Sequence, residues 1–120
     1  MSKPRGLEHQ NDLAKLPSIS DDIILSCLRE RFLADLIYTA LGTSALVSVN
    51  PYKYVPSNGD AVLMKYAAEY RDTSEEKTFL APHIFQLAGN AYYCMRRTGQ
   101  DQSIVVRFVL RSNFYPLVPD

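Results

Sequence analysis

Apolar residues recur at the spacing of one helix face between residues 24 and 36, and they predict an amphipathic helix over residues 20–36. Ser18 or Ser20 is expected to cap the start of this helix, because a hydroxyl oxygen accepts hydrogen bonds from the free N–H groups there. Asp21 and Asp22 follow, and their charge favours the positive end of the helix dipole. The apolar face consists of Ile24, Leu25, Leu28, Phe32 and Leu36.

The next apolar stretch changes to strand-forming residues. Residues 37–39 and 46–49 are rich in β-branched and aromatic side chains, and Gly42 lies where a turn would join them. The pattern therefore predicts a β-hairpin. Asn50 and Pro51 are expected to end the second strand, because proline has no N–H to donate and favours a loop.

Two further helices and a last strand complete the pattern. Asp60 is predicted to cap the second helix, and Pro82 is expected in the first turn of the third. Gly99 suits the end of the third helix, and apolar residues at 103–107 predict a strand after it. The element order indicates a mixed fold, α/β or α+β.

Composition changes this picture little. The chain has 120 residues, 47% hydrophobic residues and a formal net charge of zero, so it is typical of a folded domain and not of a nucleic-acid-binding protein. Residues 1–17 are expected to be a flexible lead-in without signal-peptide features. No apolar run is long enough to span a bilayer, so we expect a cytoplasmic location and no membrane segment in this chain. Cys27 and Cys94 are expected to be reduced and buried, with a disulfide as the alternative.

Few residues indicate catalytic chemistry. His9 and His83 are not spaced with the cysteines as metal ligands would be, and we expect both histidines to be structural or on the surface. Catalytic residues and metal ligands are therefore predicted to be absent. The loop over residues 50–54 combines an amide, a rigid turn, two aromatic rings and a lysine, which suit a nucleobase. A proline turn with packed tyrosines is the alternative interpretation of the same loop.

Two segments that contain these predicted elements resemble a known family. IYTALGTSALVSVNPYKYVP is similar to the strand pair and purine-binding loop near the start of a myosin motor domain. PHIFQLAGNAYYCMRRTGQDQSIVV is similar to the helix and strand that lead into the myosin phosphate loop. The resemblance covers residues 12–106, and it is finest to the myosin-like domain of fungal chitin synthases. It implies an incomplete piece of the myosin-head P-loop NTPase fold, with helices and a few strands of the central sheet.

The resemblance also implies partners and a site. The parent family binds ATP with Mg²⁺, associates with actin and, in the chitin synthase branch, precedes a glycosyltransferase at the plasma membrane, with this domain on its cytoplasmic side. Asn50, Pro51 and Lys53 match the family's purine loop. Asn58 stands where conventional myosins carry a tyrosine, so the aromatic contact to adenine is in question.

The sequence departs from the family after Val106. Where the family has GESGSGKT or a close variant, residues 107–114 read RFVLRSNF, without glycine and without the Lys-Ser/Thr pair that serves phosphate and Mg²⁺. We therefore expect three regions: the lead-in at 1–17, the motor-like part at 18–107 and a non-family tail at 108–120.

The departure also predicts that the chain is a truncated product, from a frameshift, a retained intron or an error in the gene model. On that interpretation it lacks the actin-binding elements, binds no cofactor and is not catalytic alone. The alternative is a non-catalytic binding or interaction stub. An unrelated small enzyme has no support in the residues.

Overall fold

The computed structural model describes residues 10–69 and 80–108. Within them the chain forms a short 3-10 helix, one α-helix, a β-hairpin and two further α-helices. The elements are the 3-10 helix Leu13–Lys15, α1 Asp21–Leu33, β1 Tyr38–Leu41, β2 Ala45–Ser48, α2 Asp60–Glu69 and α3 Ile84–Thr98. This mixed helix and strand content is compatible with a partial myosin head, and the P-loop NTPase fold stays a prediction.

The hairpin confirms the prediction from the sequence. β1 and β2 pair antiparallel, with Tyr38 opposite Ser48 and Leu41 opposite Ala45. Gly42 begins the turn with φ of 69°, a left-handed conformation that glycine adopts without a steric penalty. The antiparallel pairing and the left-handed Gly42 therefore both match the predicted hairpin.

The residues before α1 contribute to the fold. Asp12 forms a parallel bridge with Ala40 of β1, and the Ala40 N–H donates to the carbonyl of Asn11 at 2.8 Å. Leu13 and Leu16 are buried against Cys27 of α1. The sequence predicted no element here. The 3-10 helix is too short to produce a periodic pattern.

Helix α1 starts as predicted and ends earlier. The Oγ atom of Ser20 accepts from the Ile23 N–H at 3.4 Å, which confirms the cap. The prediction that the helix reaches residue 36 was wrong, because the chain turns at Asp35 with φ of 61°. The Leu36 N–H donates to the Arg31 carbonyl at 2.9 Å, which closes a Schellman motif.

The boundaries of α2 and α3 also need small corrections. Asp60 is the first residue of α2 and not its cap, because the Gly59 carbonyl accepts from Val62 at 3.0 Å. Pro82 precedes the cap of α3, which is His83. The predicted end of α3 is confirmed: Gly99 is left-handed, and its N–H donates to Met95 at 2.8 Å.

The predicted strand at 103–107 is wrong for this structure. Residues 101–108 have no regular secondary structure and are exposed. A strand is defined by hydrogen bonds to a neighbour, and the sheet in the described part of the chain contains only β1 and β2. Strand propensity without a pairing partner therefore leaves this segment irregular.

Few apolar side chains are buried in the part of the chain that the structure describes. One cluster joins Leu13 and Leu16 to Cys27, and Tyr66 and Leu80 are buried elsewhere. Neither cysteine forms a disulfide, as predicted, although Cys94 is only partly buried. No helix in the described ranges is long and apolar enough to cross a membrane.

Candidate functional site

The loop after β2 is held in a defined turn by its first residue. The Oδ1 atom of Asn50 accepts from the Tyr52 N–H at 2.8 Å, which forms an Asx turn around Pro51. Tyr52 has φ of 53°, a left-handed conformation that non-glycine residues adopt rarely. Tyr52 is 89% exposed and Tyr54 is 90% exposed, so neither tyrosine packs into the protein. The alternative of a turn with packed tyrosines is therefore wrong.

Lys53 is directed to the end of α1. Its Nζ atom lies 2.6 Å from Oδ1 of Asp35, and both side chains are about half exposed, at 58% and 48%. The ion pair holds the Lys53 ammonium group beside Asp35 and leaves it accessible to solvent. A ligand anion would compete with the Asp35 carboxylate for this lysine.

The loop forms one wall of a cleft of about 740 Å³. The hairpin, the first turn of α3 and residues 104–108 line the cleft as well. Asn50, Pro51 and Lys53 all line it, so the three predicted site residues lie in one place. Their role in nucleotide binding stays a prediction.

Asn58 has a structural partner in the same cleft. Its amide oxygen and nitrogen lie 3.3 and 3.2 Å from the hydroxyl of Tyr38. The amide therefore fixes the end of the loop against β1. The position offers a polar group and no aromatic face.

His83 is a residue of this region whose contact with the loop the sequence did not predict. The histidine is 5% exposed, and its Nε2 atom lies 2.7 Å from the carbonyl oxygen of Ser57. Its ring lies 4.7 Å from the ring of Tyr38 and 4.4 Å from that of Phe85. The expectation of a structural histidine agrees with this burial. Its place just before α3 was the only sequence signal, and that signal indicates a helix cap and no loop contact.

Residues 104–108, which line the same cleft, do not fit a nucleotide phosphate chain. A phosphate cradle needs glycines that let backbone N–H groups approach, followed by a helix N-terminus. Residues 104–108 are Ile, Val, Val, Arg and Phe, and they include no glycine. The described ranges 10–69 and 80–108 contain no group of three or more acidic, histidine or cysteine side chains that could hold a metal ion.

Several chitin synthases and myosins are similar in sequence to this chain. Chitin synthase 8 of Mycosarcoma maydis is 48% identical over 103 residues, which is 83% of this chain and 5% of the relative. Unconventional myosin-Vc of Homo sapiens is 37% identical over 107 residues, 88% of the chain and 6% of the relative. Myosin IB heavy chain of Dictyostelium discoideum is 30% identical over 104 residues, 87% of the chain and 9% of the relative.

The chain thus spans less than a tenth of the length of these relatives. The family model for the myosin head (motor domain) matches residues 10–107, which include every residue that lines the cleft except Phe108. Because this match covers most of the sequence, the chain belongs to the myosin head (motor domain) family.

Proposed function

We propose that this chain is the purine-loop part of a myosin motor-like region from a chitin-synthase-type protein, and that it does not bind or hydrolyse ATP by itself. The observation that carries the proposal is the sequence RFVLRSNF at residues 107–114, in the place of the family's phosphate loop. The loop with Asn50, Pro51 and Lys53 is retained, and the phosphate cradle is not.

The retained loop offers contacts to the base and one lysine, and these contacts contribute less to nucleotide binding than a phosphate loop does. An adenine ring would contact the exposed Tyr52 or Tyr54 ring, and the Asn50 side chain would have to exchange its hydrogen bond with Tyr52 to reach a base edge. Lys53 would have to leave Asp35 to reach a phosphate. The contacts of Asn50 and Lys53 therefore each replace an existing one, so their net gain in binding free energy is small.

The phosphate loop of the family supplies most of the electrostatic attraction for ATP. In a phosphate loop, backbone N–H groups and one lysine surround the phosphates, and a hydroxyl binds Mg²⁺. Here Arg107 is the only cation in the exposed segment 104–108, and its neighbours are bulky apolar side chains. Side chains of that size keep the backbone away from a phosphate group.

The activity of the whole parent protein is part of the proposal. Relatives that are named as myosins support a parent that binds ATP with Mg²⁺ and associates with actin. A relative that is named as a chitin synthase supports a parent in which the motor-like region accompanies a glycosyltransferase. That parent would keep this region on the cytoplasmic side of the plasma membrane.

Equilibrium binding of a fluorescent ATP analogue to the purified chain, with and without Mg²⁺, tests the proposal. We expect no saturable binding to this chain. An intact myosin motor domain with a GESGSGKT loop is the positive control and should bind the analogue saturably. Saturable binding that requires Mg²⁺ would contradict the proposal, because it would demand a phosphate site in residues 107–120.

A second candidate is a non-catalytic interaction module. The observation in its favour is the exposed apolar surface where the family-like part meets the predicted tail: Val105 is 89% exposed and Phe108, the first tail residue, is 79% exposed. A purified partner that binds saturably to the chain, and no longer binds when residues 108–120 are deleted, would favour this function over the first.

A further inference from the structure

The two strands of the hairpin differ in what lies along their outer edges. On β1, the Ala40 N–H points away from β2 and donates to the carbonyl of Asn11 at 2.8 Å, and Asp12 forms a bridge with the same residue. The sheet in the described part of the chain contains only β1 and β2, so no strand lies along the outer edge of β2 there. One edge of the sheet is therefore partly covered, and the edge of β2 is open.

The register identifies the backbone groups that face this open edge. In an antiparallel pair, every second residue of a strand bonds to the partner strand, and the residues between them face outward. The Val49 N–H donates to the Ile37 carbonyl at 3.1 Å, so the odd-numbered residues of β2 bond to β1. The outward N–H of Ala40, which lies opposite Leu46, agrees with this alternation. The N–H and C=O groups of Leu46 and Ser48 therefore point away from β1.

The open edge borders two adjoining cavities. Leu46 and Ser48 line the cleft of about 740 Å³, and a second cavity of about 300 Å³ begins at the turn of the hairpin. Leu87 of α3 lines both cavities, and so do Ile104 and Val105. The space beside β2 therefore has an apolar lining that an added strand would contact.

Residues 103–107 form an unpaired segment with the composition of a strand. Ile104, Val105 and Val106 are β-branched, and they are 52%, 89% and 67% exposed. Among the residues that the structure describes, the segment has no regular secondary structure and its backbone makes no hydrogen bond. The segment therefore lacks the neighbour that strand pairing requires.

Neither the open edge nor the segment 103–107 has the protection that exposed strands usually carry. Natural edge strands bear charged side chains, prolines or bulges, which prevent pairing with another chain. β2 reads ALVS, and the segment reads SIVV before its first charge at Arg107. The formal net charge of the chain is zero, so net charge gives no repulsion between copies.

We propose that the open edge of β2 pairs with residues 103–107 of a second copy of this chain. Within one copy, the cleft separates the segment from β2, so the two do not bond to each other. A second copy supplies the same segment at the same concentration as the edge. Its backbone would bond to the outward groups of Leu46 and Ser48, and its apolar side chains would leave solvent. The pairing needs no nucleotide, so it is independent of the proposed function.

Amide hydrogen exchange in the full chain tests the pairing without any variant. Sedimentation velocity first locates the concentration range of association. Across that range, exchange at the Leu46 and Ser48 amides should slow at least about tenfold, because both groups then donate to a neighbouring strand. The Val47 and Val49 amides already face β1, and they are the internal reference that should change less.

Two variants block the two surfaces separately. Ser48→Pro removes an outward N–H and keeps the bonds of β2 to β1, because proline is tolerated on an edge strand where its nitrogen faces outward. Val105→Lys places a charge in the segment. Each variant alone should associate only at concentrations at least about tenfold higher than the unmodified chain requires. Protection of the Val49 amide in Ser48→Pro verifies that the hairpin still forms.

A mixture of the two variants distinguishes this pairing from general stickiness. The Ser48→Pro chain keeps an intact segment, and the Val105→Lys chain keeps an intact edge. Pairing between two different surfaces therefore predicts that the equimolar mixture forms one-to-one pairs at a lower concentration than either variant alone.

Four results would overturn the proposal. The first is an unmodified chain that stays monomeric at every concentration. The second is protection of the Leu46 and Ser48 amides in the monomer, which would mean that the edge is covered within one copy. The third is unchanged association of Ser48→Pro, which would mean that the segments of two copies contact each other. The fourth is a mixture that associates no better than the separate variants.

Discussion

The ammonium group of Lys53 lies 2.6 Å from the carboxylate of Asp35, and this ion pair ties the candidate loop to the end of α1. Asp35 is also the left-handed residue of the Schellman motif that ends the helix. Asp35 can therefore affect stability in two ways: through an exposed ion pair and through a backbone conformation that most residues disfavour.

Substitutions at Asp35 should separate these effects. Asp35→Asn removes the charge and keeps a residue that tolerates the left-handed region, so the free energy of unfolding should change by less than about 1 kcal/mol. Asp35→Ala should lower it by about 1–2 kcal/mol, because a Cβ without a polar group is disfavoured there. Urea denaturation of both variants measures the difference. Equal losses in both would mean that the ion pair, and not the backbone, carries the effect.

Local patterns predicted the elements that local interactions make. The hairpin, the Ser20 cap and the Gly99 end were each predictable, because each depends on residues close in the sequence. The end of α1 was not, because aspartate adopts the left-handed conformation too rarely to predict it. The strand at 103–107 failed because pairing depends on a neighbour that the strand's own residues do not specify.

The candidate site was predictable only in part. Asn50, Pro51 and Lys53 came from the resemblance, and the structure brings them to one cleft. The contact between His83 and Ser57 joins residues 26 positions apart, and no spacing rule connects them. Tertiary contacts of this kind depend on how α3 packs against the hairpin, which periodicity does not reveal.

Arg31 is a buried cation whose loss should be costly. Its Nε atom donates to Thr39 Oγ1 at 2.7 Å, and another guanidinium nitrogen donates to the Tyr38 carbonyl at 2.8 Å. Arg31→Met leaves these buried acceptors without the donor, so the free energy of unfolding should fall by about 2–3 kcal/mol. The exposed Arg29 on the same helix is the matched control, and Arg29→Met should cost less than about 0.5 kcal/mol. Similar losses in the two variants, in chemical denaturation, would contradict the assigned geometry.

Asp12 should make stability depend on acid pH. Its carboxylate accepts from the Gly42 and Ala14 N–H groups, both at 2.9 Å, and these bonds hold the pKa of Asp12 below its usual value. The lowered pKa means that the stabilisation is present above the unfolded value of 3.8 and is lost as the pH falls through the folded value. Asp12→Ala should cost about 1 kcal/mol at neutral pH.

The difference in unfolding free energy between the unmodified chain and Asp12→Asn isolates this carboxylate, because the other acidic groups cancel. The difference should be largest near neutral pH and should shrink below the unfolded value. Asp101→Asn, at an exposed position, is the control for loss of one carboxylate elsewhere in the chain. A flat profile for Asp12→Asn would mean that the two N–H bonds do not form in solution.

The two thiols should differ in reactivity. Cys27 is fully buried, its Sγ–H donates to the Gln10 carbonyl at 3.6 Å, and burial raises the pKa of the thiol. Cys94 is only partly buried. Labelling with a disulfide reagent should therefore be at least about 100-fold slower at Cys27, because labelling requires local opening and a thiolate. The Cys27→Ser and Cys94→Ser chains measure each thiol alone, and equal rates would show that the packing of α1 against Leu13 and Leu16 is open.

The exposed apolar segment 104–108 should make the chain self-associate. Val105 is 89% exposed and Phe108 79% exposed, and a formal net charge of zero provides no general repulsion. Sedimentation velocity over a range of concentrations should show oligomers that Val105→Lys shifts to at least about tenfold higher concentration, since a charge opposes strand-edge and apolar contacts. Ala61→Lys, at an exposed position of α2, adds the same charge elsewhere and is the matched control. If both variants shift association equally, net charge is the cause, and if the unmodified chain is monomeric throughout, the segment does not drive association.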